Sequence, residues 1–155
     1  LIVLLVMFHY HTGKAFFYDN MKQKSIIYHF RNNSIIRNNN VFLINDETKM
    51  LNAFRSYNYY EYTGLFYISF NESTRIATDV HLRSELKGIY NSRYILPYKT
   101  KDCPKYEPEA CIVIKEHDIN ISSMDFLNLV RYYVFDKKRY YDSIKNFVLI
   151  ESYML

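Results

Sequence analysis

Tryptophan is absent from this chain, and glycine and proline number only three each among 155 residues. So little glycine leaves no room for a P-loop or a Gly-x-Gly-x-x-Gly turn, where bare backbone must approach a phosphate. Two cysteines are too few for a disulfide scaffold or a cysteine-rich zinc site. No metal centre is expected. The longest apolar opening, Leu1–Phe8, falls far short of the roughly 20 residues that span a bilayer, so no stable membrane span is expected. Charge of one sign is also scarce: 20 Lys and Arg stand against 16 Asp and Glu, a formal +4. That permits contact with nucleic acid without arguing for it, and no nucleic-acid partner is expected.

Apolar and aromatic residues are abundant. Hydrophobic content is 49%, which excludes a disordered chain, and the length suits one domain with a real core. Tyrosine (17) and phenylalanine (11) are in excess. AT-rich codons supply these residues to any protein, and tyrosine tolerates half-burial, so the count alone does not point to base stacking.

The run Leu1-Ile2-Val3-Leu4-Leu5-Val6-Met7-Phe8 reads as the apolar core of a secretory signal, with small residues Thr12, Gly13 and Ala15 after it. A buried N-terminal strand is the competing reading. The signal reading makes residues 1–15 a leader remnant, residues 16–155 a single domain, and the protein secreted. Three Asn-x-Ser sequons, at Asn32, Asn71 and Asn120, agree with export. In an oxidising compartment Cys103 and Cys111 are near enough in sequence for one small loop disulfide.

Pro97, Pro104 and Pro108 mark residues 97–108 as the principal loop. Short apolar runs predict strands at Ile26–Phe30, Val41–Ile44, Leu65–Phe70, Arg93–Pro97, Ala110–Ile114 and Phe147–Ile150. Helices are predicted over Thr74–Lys87 (capped by Ser73 or Asn71 and stopped by Gly88), Met124–Phe135 and roughly Lys138–Asn146, with a short one between Asp46 and Tyr57. Glu116-His117-Asp118 reads as a surface turn. The order of elements is that of an α+β domain.

The chemistry-bearing stretch is Lys105-Tyr106-Glu107-Pro108-Glu109-Ala110-Cys111-Ile112. In extended backbone, residues two apart face the same side, so Glu107 and Glu109 would project together about 6–7 Å apart. A carboxylate pair of this kind can stabilise developing positive charge and handle a proton. Two solvated loop acids are the plainer reading of the same residues.

Upstream, Tyr62–Phe70 followed by Asn71-Glu72-Ser73-Thr74-Arg75-Ile76-Ala77 reads as a serine-bearing strand and then a helix. With Ile27-Tyr28-His29-Phe30-Arg31 before it and Glu-x-Glu after it, this order resembles the cholera-toxin/heat-labile-enterotoxin family of ADP-ribosyltransferases over roughly residues 26–121. The family's first-motif arginine is replaced by His29, and its Ser-Thr-Ser triplet is reduced to Ile68-Ser69-Phe70. The resemblance implies two packed, mostly antiparallel sheets with flanking helices. It implies NAD as substrate and a host protein as acceptor, modified on arginine. Glu109 would stabilise the oxocarbenium-like state, Glu107 would hold the acceptor, and Ser69 would brace Glu109. His29 or Arg31 and Tyr67 would contact NAD, and Tyr106 would face the acceptor. The alternative is a catalytically inactive relative, or an unrelated secreted binding protein acting by protein–protein contact.

Overall fold

A computed structural model describes residues 2–48, 51, 56–79, 108–116 and 126–155. Helix α1 (Ile2–Asn32) runs without a break at Gly13 or Ala15 and leads into the short α2 (Ser34–Asn38). Strand β1 (Val41–Asp46) is followed by helix α3 (Tyr59–Phe70) and strand β2 (Ile76–Asp79). Strand β3 (Ala110–Glu116), helices α4 (Phe126–Phe135) and α5 (Lys137–Lys145), and strand β4 (Val148–Met154) complete the described chain.

The strands form one mixed sheet in the order β2-β1-β3-β4. Strand β1 pairs in parallel with both β2 and β3, and β4 closes the edge antiparallel to β3. The α+β class holds. Among the described residues there is a single sheet rather than two packed ones, and its centre is parallel.

Both faces of the central strands are buried, which suits their unbroken apolar runs. Phe42, Ile44, Ala110, Ile112, Ile114 and Val148 join the main core with residues of α1, α3 and α5. Leu43, Cys111 and Val113 form a separate buried cluster, as alternation along a strand requires. Cys111 is a free, buried thiol within β3, while Cys103 lies outside the described residues.

Four expectations change. Ile26–Phe30 is helix, because Tyr18, Met21, Lys22, Ser25, Ile26 and Phe30 form a stripe at helical spacing that faces the sheet. Leu65–Phe70 is helix for the same reason: Tyr62, Leu65, Phe66 and Ser69 are its buried face. At its start the Glu61 carboxylate accepts the Asn58 backbone N–H at 2.9 Å, half of a capping box. Asn71 does not open a helix. It closes α3 in the left-handed conformation (φ 56°), donating its N–H to the Tyr67 carbonyl at 2.7 Å. The chain then turns into strand β2, where Ile76–Asp79 replaces the expected start of a helix. Glu116 is the last residue of β3 rather than part of a turn. The predicted strands at Val41, Ala110 and Phe147 and the last two helices are present, with shifts of a residue or two at their ends except that β4 runs four residues further, to Met154. The expected strand Arg93–Pro97 and the principal loop up to Glu107 lie outside the described residues.

Candidate functional site

Of the residues read as NAD-binding, Arg31 and Ser69 lie near the ends of α1 and α3, and backbone groups occupy polar atoms of Arg31, Ser69 and His29. Arg31, on the last turn of α1, donates from Nε to the Ser69 carbonyl and from Nη2 to the Ile68 carbonyl, both at 3.0 Å. Those carbonyls end α3, where the helix dipole favours a cation. The Ser69 hydroxyl donates to the Leu65 carbonyl of its own helix at 2.7 Å. His29 Nε2 lies 3.0 Å from the Lys145 carbonyl at the end of α5. Tyr67 is exposed on the outer face of α3. The Glu109 carboxylate accepts the Asn40 N–H at 2.6 Å and the more distant Val41 N–H at 3.4 Å, tying the start of β3 to that of β1.

The fold therefore brings Arg31 to Ser69, through a carbonyl rather than the hydroxyl. No hydrogen bond joins either of them, or His29, to Glu109. In open sheets of this kind ligands lie outside the carboxyl ends of the strands, the edge opposite Glu109. Glu107 and Tyr106 lie outside the described residues.

At the carboxyl edge the sequence reading had singled out nothing, yet the fold assembles a dense polar cluster there. Lys22, almost wholly buried on α1, places Nζ 2.6 Å from Oδ2 of Asp46 at the end of β1. Tyr62 also donates to that oxygen. The other carboxylate oxygen accepts the Thr48 hydroxyl and, at 3.0 Å, the Thr48 N–H. Four donors fill the acceptor capacity of one carboxylate. Tyr57 donates to Asp19, and the Lys22 ammonium lies 4.5 Å from the centre of the Tyr57 ring. Glu116, ending β3, accepts the Leu51 N–H at 2.9 Å.

Burial pushes the Lys22 ammonium below its ordinary pKa, against the pull of Asp46, Asp19 and Glu116. Burial alone would raise Asp46. The adjacent Lys22 charge, with hydrogen bonds from Lys22, Thr48 and Tyr62, instead holds it below the usual carboxylate range. Burial and the Asp46 charge drive the Tyr62 phenol far up, so it stays a donor. With its lone pairs used, Asp46 is not a free base. The cluster acts as a lock between the middle of α1 and the sheet. A lysine inside the stripe Tyr18–Met21–Ser25–Ile26–Phe30 is the sequence signal that could have revealed it.

The lock has a consequence at the other end of α1. From Lys22 onward the helix is fastened: Lys24 Nζ bonds the Tyr140 hydroxyl at 3.2 Å, and the Ser25 hydroxyl accepts the Val148 N–H at 3.1 Å. Before Phe17 it projects. All seven side chains from Ile2 to Phe8 are at least half exposed, from 51% at Leu5 to 77% at Ile2. Phe16 is 71% exposed. Tyr10, and Phe17 at the boundary, each meet Phe126 at the start of α4 edge-on. A rigidly based apolar helix tip is the feature of this surface that most needs a function. Compared with family models, curated proteins and solved structures, the chain matches none, so no relative ties it to the ADP-ribosylating toxins.

Proposed function

We propose that this protein works by surface binding, through the apolar projection of α1, rather than by splitting NAD. One observation carries the reading: the most apolar seven residues of the described chain stand exposed on a helix whose other half is locked into the core. Burying one such side chain is worth about 1.5–3 kcal/mol, so an uncovered cluster is a strong driving force for association.

The ADP-ribosyltransferase reading retains one supporting contact, Arg31 with Ser69. It needs Glu109, Ser69 and His29 or Arg31 around one cleft, and the polar groups of these residues are instead engaged with backbone. Two assays on the full chain separate the readings. Surface binding predicts that a hydrophobic dye such as ANS binds the native protein, that Leu4→Glu with Phe8→Glu removes most of that signal, and that helicity is retained. NAD hydrolysis by the wild type that disappears in Glu109→Gln would overturn it.

A further inference from the structure

We infer that the partner of the exposed apolar turns of α1 is a lipid bilayer. The inference rests on the surface-binding reading above and names its partner. Its first support is the shape of the apolar surface. Seven successive residues cover nearly two turns, so Ile2–Phe8 is apolar on every side of the helix and exposed on every side. A helix that docks in a protein groove shows an apolar stripe and a polar back. A segment apolar all round instead suits a medium that surrounds it, as lipid does.

The second support is the order of side chains along the axis. Pure hydrocarbon at Ile2–Phe8 gives way to His9-Tyr10-His11, then Lys14, and the first acid of the chain is Asp19. Hydrocarbon, then amphipathic rings, then a cation is the depth profile of a membrane interface, where aromatic rings sit among headgroups and lysine meets anionic lipid. None of the described helices is long and apolar enough to cross a membrane, and tip insertion does not require one.

The absence of tryptophan gives a clean test. The full chain is mixed with vesicles of phosphatidylcholine and phosphatidylserine and floated on a density gradient. The wild type should float with the vesicles, and Leu4→Glu with Leu5→Glu should lower the bound fraction more than about tenfold, since charge is costly in hydrocarbon. Single reporters Leu4→Trp and Phe16→Trp, about 18 Å apart along the helix, should differ: bromine-labelled lipid should quench the first far more strongly. Wild-type protein left unbound overturns the inference, as does equal quenching at the two positions. A discrete dimer that Leu4→Glu dissolves, with no vesicle binding, overturns the lipid partner while leaving the surface-binding reading in place. Glu109-dependent NAD turnover overturns both.

Discussion

The two halves of helix α1 are buried in opposite degree to their polarity. Ile2–Phe8 carries apolar side chains alone and stands exposed, whereas the half that enters the core buries a lysine and a serine among its apolar residues. The buried polar residues of this half are tolerated because their polar atoms are partnered: Lys22 by Asp46 and Ser25 by the Val148 N–H. Among the described residues no buried side-chain polar atom is left without a partner. The exposed half has no such compensation: Ile2–Phe8 stands clear of the described core. Burial here follows the satisfaction of polar groups and the geometry of the sheet, and the uncovered hydrocarbon is left for a partner.

Mutations that test this contrast should differ sharply between the halves. Phe30 is fully buried and stacked on Phe66 at 4.4 Å, so Phe30→Ala should cost about 3–5 kcal/mol, read from the urea midpoint. Lys22→Ala should cost a similar amount, about 3–5 kcal/mol, because it strands the buried Asp46 carboxylate. If Lys22→Ala proves neutral, the lock is not what fixes α1.

The same pair sets an acid limit. The folded state holds Asp46 below its ordinary value of 3.8, so between the folded and unfolded values the unfolded chain binds more protons. The contribution of Asp46 is therefore fully present above about pH 4 and lost as pH falls through the depressed folded value. Protonation would leave the Lys22 ammonium buried opposite a neutral acid. Asp46→Asn should flatten this part of the stability–pH curve while lowering stability at neutral pH.

Ser25→Ala should cost about 1–3 kcal/mol by orphaning the buried Val148 N–H. In the projecting half, Gly13 faces open space where a Cβ would meet nothing within 4 Å. Gly13→Ala should therefore stabilise by up to about 1 kcal/mol, visible as slower amide exchange in the tip. Leu4→Ala should change stability by no more than about 0.5 kcal/mol while weakening vesicle binding. A large stability loss there would mean that the tip is packed after all.

Much of the sheet was legible. Val41–Ile44 and Ala110–Ile114 are short, apolar, β-rich runs, and they form the two central strands because nothing in them competes with that pattern. The helix at Phe126 was legible from apolar spacing; the cap of the one at Lys137, Asp136 accepting the Arg139 N–H, was not read from the sequence. The segments around His29 and Ser69 were misread for one reason. Each is a short aromatic and β-branched run in which strand and helix patterns coincide, and the longer stripe that decides between them includes Lys22, Ser25 and Ser69, polar residues that look like surface. Glu109 was seen as a chemical group, and its ties to the Asn40 and Val41 N–H groups cross 68 and 69 residues of sequence.

By itself, the sequence determined the α+β class, the two central strands and the apolar tip, because each is a local matter of composition and side-chain period. Only the tertiary structure decided that the tip lies outside the core and that Lys22 lies inside it. A lysine becomes buried when a carboxylate 24 residues away meets it at 2.6 Å and two hydroxyls and a backbone N–H fill that carboxylate's remaining lone pairs. That arrangement belongs to the meeting of a helix with the carboxyl end of a strand, and no single stretch of the chain contains it.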